Sequence, residues 1–395
     1  MSTPDAGAEA AGTAGGTAPG GAPRVLVLTV VHNPQDARIL HRQIAALVRA
    51  GFAVTYAAPF SGYGIPRADR PSSVATLDVP RATGRRRLAA LRGARAVLAG
   101  ARGRVALVLL HDPELLAAAA GLDLPPVVWD VHEDTAGALT TKPWLPAPAR
   151  RPVGLAFLGV ERLAERRHHL TLAEYGYAGR FARPHPVVPN TTVVPAAVPP
   201  PGADRVVHLG HLRADRGAAE MLAAGRELRR RTGGAVTVHL IGPADAASTP
   251  AVRAAADAGD VVWHGFVPNT AALPMLDGAL AGMQLLHDLP NHRASVPTKT
   301  MEYLAHGVPV VASPLPHVAR LLAASGGGVT VPFGSPEQVG RAVAEVVLGW
   351  REDPGTRRAV AAAGHAYARE RLDWSVHAVA FTDLLRRWAA VRAAR

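Results

Sequence analysis

PTKTMEYLAHGVPVVAS, running from Pro297 to Ser313, is punctuated as a short helix that feeds a buried strand. Ser295 or Thr298 can cap its start, Gly307 supplies the left-handed residue past the helix end, and Pro309 blocks continuation. Val308, Val310, Val311 and Ala312 then form an apolar, β-branched run, the pattern of a strand covered on both faces in a parallel sheet. Lys299 stands at the helix start, with Glu302 one turn later. A helix N-terminus offers unpaired N–H groups to an anion, and Lys299 adds positive charge where a diphosphate would sit. Glu302 is an acceptor and suits a sugar or ribose hydroxyl instead. The same spacing also fits a solvated ion pair on an ordinary helix face.

The chain has 395 residues, 48% of them hydrophobic, enough for two α/β cores. Lys and Arg number 43 against 31 Asp and Glu, a formal charge of +12 that favours anionic partners such as phosphates, nucleotide sugars or an acidic membrane surface. No zinc-ligand spacing or nucleic-acid-reading module is present, so no nucleic acid partner is expected. There is no cysteine, which excludes disulfides and thiolate chemistry and is compatible with a cytoplasmic location. Residues 1–23 lack both a basic start and an apolar core and read as a disordered tail. Apolar runs are of strand length, well short of the ~20 residues of a membrane span.

Arg24 to Val31 reads as the first strand, Ala37 to Ala50 as an amphipathic helix closed by Gly51, and Phe52 to Ala58 as a second strand. That β-loop-α-β unit opens a doubly wound sheet, whose ligands bind at the C-terminal strand edge. Val105 to Leu110 and Val127 to Val131 are further strands, and they deliver His111-Asp112 and His132-Glu133-Asp134 to that same edge. Two histidines beside carboxylates at one sheet edge make a candidate site, although a lone strand-end histidine is usually a hydrogen-bonded loop residue. Between these strands, residues 81–104 carry eight arginines and no acid. Leu88, Leu91, Val97 and Leu98 fall on one side of a helix drawn through them. The segment Arg85 to Arg104 suits anionic lipid headgroups, each exposed Arg contributing on the order of 1 kcal/mol, or is a solvated basic face. Pro143 to Pro152 reads as a loop before a helix over Val153 to His169, and the prolines from Pro195 to Gly202 as a linker.

A second lobe opens with the strand Arg205 to Leu209 and the loop Gly210-His211-Leu212-Arg213-Ala214-Asp215-Arg216-Gly217. Glycine permits close backbone approach to a ligand, and the basic side chains suit a diphosphate or merely decorate a loop. Val236 to Ile241, Val261 to Trp263 and Ala281 to Leu286 are further strands. No Asp-x-Asp dyad occurs in a suitable loop, so no metal ion is expected.

Glu302, Ala305, Gly307, Pro309, Val310, Val311 and Ala312 resemble the second half of the Glu-x7-Glu segment of family 4 glycosyltransferases. The first glutamate of that segment falls at Ala294, but Pro297, Lys299, Glu302 and Tyr303 match a subset with Pro-x-Lys-x-x-Glu-Tyr. The resemblance runs from about Val25 to Trp388. It implies a GT-B fold: two Rossmann-like lobes, 24–194 for the acceptor and 205–370 for the nucleotide sugar, joined by a 195–204 linker. Residues 371–395 would return to the first lobe.

The activity implied is metal-independent sugar transfer, with retention, from a nucleotide-diphosphate sugar, UDP or GDP, to a hydroxyl acceptor. No other cofactor is implied. Donor-side residues would be Gly210, His211, Arg213, Arg216, Phe266, Val267, Pro297, Thr298, Lys299 and Glu302. His211 stands where the family has Arg, and Arg216 where it has Lys; Phe266 fits the core equally well. His132 matches the family histidine beside the donor sugar. Asn33, Asp36 and Arg38 would face the acceptor, with His111 and Asp112 as the alternative histidine pair; Asp36 also serves as a simple helix cap. A nucleotide-sugar 2-epimerase and a sugar-binding protein without turnover share these features.

Overall fold

The computed structural model describes residues 21–132, 146–293 and 296–391. Most of the N-terminal tail, Glu133, Asp134, Ala294 and Ser295 lie outside these residues. The first sheet contains β1 (Arg24–Leu28), β2 (Ala53–Ala58), β3 (Ala75–Asp78), β4 (Leu107–Leu110), β5 (Val127–Val131) and β6 (His169–Leu172). The second contains β7 (Arg205–Leu209), β8 (Thr237–Ile241), β9 (Val262–Gly265), β10 (Ala281–Gln284), β11 (Val310–Ala312) and β12 (Gly328–Thr330). Their orders are β3-β2-β1-β4-β5-β6 and β12-β11-β10-β7-β8-β9, and the named strands pair in parallel. Each order reverses direction once, between β1 and β4 and between β7 and β10. Those switch points open a crevice above the C-terminal strand ends.

Strand burial explains the apolar runs. Leu26 and Leu28 join a core beneath the helices Arg87–Gly100 and Ala147–Arg167, while Val25 and Val27 join the opposite one with Ile39 and Leu47. In the second sheet Val206 faces Met221 and Val343, and Val207 faces Tyr303 and Val318. Successive residues of a strand point to opposite faces, so a sheet covered twice needs unbroken hydrophobicity. The last helix, Trp374–Ala390, packs Trp374, Phe381 and Leu385 into the core shared with Val25 and Ile39 of the first lobe. Backbone bonds from Thr192 N to Leu372 O (3.2 Å) and Trp374 N to Thr192 O (2.7 Å) tie this return beside the outgoing crossing.

Two local expectations change. The helix after β1 runs in π geometry over Ala37–Ile44 before continuing as α-helix over Ala45–Arg49, with Arg38, Arg42 and Gln43 buried. The proline-rich stretch is partly helical: the helix begins at Ala147 and includes Pro152. Pro148 lies in the first turn, where its missing N–H has no partner to lose, and Pro152 gives up a single backbone bond.

Candidate active site

Glycine 307 (φ 63°) ends the helix Thr298–Ala305, and Tyr303 fixes where that helix starts. The Tyr303 hydroxyl accepts from Leu209 N at 2.8 Å and donates to Met283 O at 3.2 Å, bridging the ends of β7 and β10. Gly282 makes room for the ring, since a Cβ there would lie 2.7 Å from it. Thr298 is the first helical residue rather than the cap, and its hydroxyl accepts from Asn190 Nδ2 of the other lobe at 3.3 Å.

Lys299 is buried, with Nζ 3.4 Å from Nε2 of His208. His208 Nδ1 lies 3.1 Å from the carbonyl of Met283 and so carries the hydrogen, leaving Nε2 as acceptor for the amine. Burial, with the Lys299 charge next, holds His208 well below its usual range. Burial, with Arg216 next and Glu302 opposing, brings Lys299 down to about 7. Gly210 (φ 124°) passes so close that a Cβ would stand 3.1 Å from Lys299 Nζ. Arg216 reaches the same place, and its buried Nε has no hydrogen-bond partner among the described residues. Glu302 is buried one turn along. Burial raises its carboxyl above the usual range, while Arg42, Lys299 and His306 pull it down.

The opposite wall is organised by Asp130, fully buried at the end of β5. Its oxygens accept from Arg38 Nε and Nη2 (2.7 Å each), Thr171 Oγ1 (2.7 Å) and Gln43 Nε2 (3.0 Å). Burial works against the carboxylate, but Arg38, with His111 and His132 beside it, holds Asp130 well below the usual range. His132 turns Nδ1 to Asp130 O at 3.1 Å and Nε2 to His32 Nε2 at 2.9 Å. Burial lowers its pKa, yet Asp130 outweighs this and raises it overall. His32 in turn lies 3.2 Å from Asp112, whose other oxygen accepts from Thr29 Oγ1 at 2.9 Å and Val30 N at 2.5 Å.

These walls enclose a cleft of about 650 Å³ between the lobes. Asn33, Asp36 and His132 line it from the first lobe; Gly210, His211, Arg216, Phe266, Val267, Pro297, Thr298, Lys299 and Glu302 line it from the second. Phe266 is 64% exposed and therefore not core. Four expected residues stand elsewhere. Arg38 is sequestered by Asp130, and Asp112 and fully buried His111 lie behind His32 and His132. Arg213 points outward and pairs with Asp215 at 3.0 Å, because the turn Ala214–Arg216 directs only Arg216 inward.

Sequence reading passed over His41, Glu174, Asn190 and His208. A polar residue inside the apolar run Val206-Val207-His208-Leu209 was the available signal for the last. A larger cavity, about 850 Å³, opens beside Arg24 and Arg104 at the far edge of the first sheet, away from the strand ends that carry these groups.

His111, Asp130 and His132 place one ligand atom each within 4.8 Å of one another. The donor set suits a divalent ion poorly, because Asp130 already serves Arg38, Gln43 and Thr171 and a cation there would meet the guanidinium.

Residues 203–348 match the family model described as Glycosyl transferases group 1. The match spans the second sheet and most of the helix Pro336–Glu352. Sucrose-phosphate synthase from Thermosynechococcus elongatus superposes with a TM-score of 0.68 at 16% identity, covering 93% of this chain and 99% of that one. HepE from Anabaena in complex with UDP-glucose gives 0.65 at 15% identity, covering 92% and 100%. WaaG, a glycosyltransferase involved in lipopolysaccharide biosynthesis, gives 0.63 at 13% identity, covering 91% and 98%. The two parallel six-stranded sheets of this chain thus form the GT-B architecture of those enzymes. No curated protein sequence matches the chain. Among the described residues no helix is long and apolar enough to cross a membrane.

Proposed function

We propose that this protein transfers a hexose-type sugar from a nucleotide-diphosphate donor to a hydroxyl acceptor, with retention and without a metal ion, as a family 4-type enzyme of the Pro-x-Lys-x-x-Glu-Tyr subset. The supporting observation is one convergence. Lys299, the unpartnered Nε of Arg216 and the glycine backbone at Gly210 meet at the start of the Thr298–Ala305 helix, and His132 lines the same cleft from the other lobe.

A departing nucleotide diphosphate gathers charge, and fixed cations with backbone N–H groups stabilise it more strongly as it does. Lys299 is poised to gain a proton as the anion arrives. Glu302 accepts from the ribose, and His132 orients the sugar from the first-lobe wall of the cleft. A leaving phosphate on the same face takes the acceptor proton, so no enzymic base is required. HepE in complex with UDP-glucose makes UDP the first nucleotide to test, ahead of GDP. In this reading 24–194 is the acceptor lobe, 205–370 the donor lobe and 371–395 the returning helix.

A cytoplasmic enzyme resting on an anionic membrane fits the arginine-rich helix. Arg85, Arg86 and Arg92 are exposed there, and Leu88, 67% exposed, faces outward instead of joining Leu98 in the core. The deciding experiment is a thermal-shift panel of UDP, GDP, ADP and dTDP sugars. A ligand at 100 times its Kd adds about 2.7 kcal/mol to stability. No shift with any of the four, at millimolar concentration, overturns the assignment.

A further inference from the structure

Glu174 has no role in the donor chemistry just described, and its surroundings are unusual. It follows β6 at the sheet edge where ligands bind and lines the cleft between the lobes. Its position precedes the turn Tyr175–Arg180, and its side chain makes no capping bond there. Among the described residues the carboxyl has no hydrogen bond or ion pair, although it is half-buried. Burial pushes it up to about 7, against a pull from Arg38.

Asn190 stands against the same strand end, its N–H donating to Ala173 O at 3.0 Å. Its Nδ2 crosses the cleft to Thr298, which leaves a buried Oδ1 with no partner among the described residues. Two acceptors of the first lobe therefore line the cleft without a donor among the described residues. Glu174 opens onto the same cleft as Asn190 Oδ1, which is complete only when a ligand supplies a donor. Hydroxyl groups do this. A phosphate or carboxylate brings only acceptors and meets Glu174 as a like charge.

We propose that Glu174, with Asn190 Oδ1, forms a hydroxyl-binding subsite that positions a neutral sugar acceptor and discriminates against anionic ones. This inference rests on the transferase reading above and assigns the acceptor class to the same cleft. In the neutral form the Glu174 carboxyl both donates to and accepts from a sugar hydroxyl, and above its pKa it only accepts.

The test uses the full chain saturated with UDP, with methyl glucoside, methyl mannoside and glucose 6-phosphate as probes in saturation-transfer NMR at pH 6 and pH 8. At least one neutral glycoside is expected to bind more tightly than glucose 6-phosphate, with an affinity that changes between the two pH values. Glu174→Gln should abolish the pH dependence, Glu174→Ala should weaken the glycoside at least fivefold, and UDP affinity should hold within about twofold. Because Glu174 is half-exposed and unpaired, both variants should melt with the parent. Unchanged glycoside binding in both variants, preference for glucose 6-phosphate, or no glycoside binding while UDP binds would each overturn the subsite. Failure of UDP to bind at all would instead defeat the donor assignment, a separate result from the glycoside arm.

Discussion

Lys299 gives the sharpest prediction, because its amine is brought to about 7 by burial and by Arg216 while the ligand proposed for it is a dianion. The diphosphate of UDP-glucose is esterified at both ends and does not titrate near neutrality, so the pH dependence of its binding reports the protein. With a free-state pKa of 7, the charged fraction is roughly three quarters at pH 6.5 and about one in thirty at pH 8.5. If the bound state requires the ammonium, Kd should rise roughly 25-fold across that interval, about 1.9 kcal/mol.

Calorimetry at pH 8 in two buffers of different ionisation enthalpy should show uptake of close to one proton on binding, falling toward zero at pH 6. Lys299→Met should bind weakly and remove this uptake. His208→Gln, which keeps an acceptor for the amine, should retain it. Equal proton uptake by the parent and Lys299→Met, or a Kd that does not move with pH in the parent, refutes the assignment. Linkage carries the same sign into stability. The folded pKa of Lys299 lies below its unfolded value near 10.5, so the native state binds fewer protons between pH 7 and 10.5. The stability contribution therefore rises with pH through that window, and the burial penalty is fully present below it.

Arg216→Met should lower UDP affinity about 10- to 100-fold by titration calorimetry with little change in melting temperature, since the guanidinium Nε it removes is already unpaired. Asp130→Asn should destabilise the fold by about 3–5 kcal/mol in urea, because Arg38 is left buried with a neutral partner. The pKa of Asp130 is depressed in the fold, so its stabilisation is complete above about pH 4 and is lost as pH falls through the folded value; acid unfolding of the variant should be correspondingly flatter. The same variant should lower the pKa of His132 in NMR titrations, since Asp130 is what raises it. Replacing Arg85, Arg86 and Arg92 with Ala should reduce flotation with anionic liposomes roughly a hundredfold, about 1 kcal/mol per arginine; absence of flotation by the parent at low salt removes the membrane contact.

Local chemistry was enough to place most of the fold. Val127–Val131 and Arg205–Leu209 are strands over the same residues in sequence and structure, because short, β-branched, largely apolar segments of that length suit a strand covered on both faces. The Gly307 and Pro309 punctuation likewise stops one helix and starts β11 through backbone geometry internal to those residues. Lys299, Glu302, Arg216 and His132 were legible as candidates because their residue types sit at strand ends and a helix start. Orientation was not. Arg38 lies in a loop-adjacent helix that could face a ligand, but it is claimed by Asp130, 92 positions away in sequence. Arg213 and Arg216 share one loop and one charge, and the folded turn Ala214–Arg216 pairs Arg213 with Asp215 while Arg216 lines the cleft. Glu174 and Asn190 carry no local signal of a ligand and become cleft residues only because the second lobe faces them. Periodicity and backbone conformation are set by near neighbours, whereas the direction of a charged side chain is set by whichever distant partner repays its loss of water, and that partner is present only in the folded molecule.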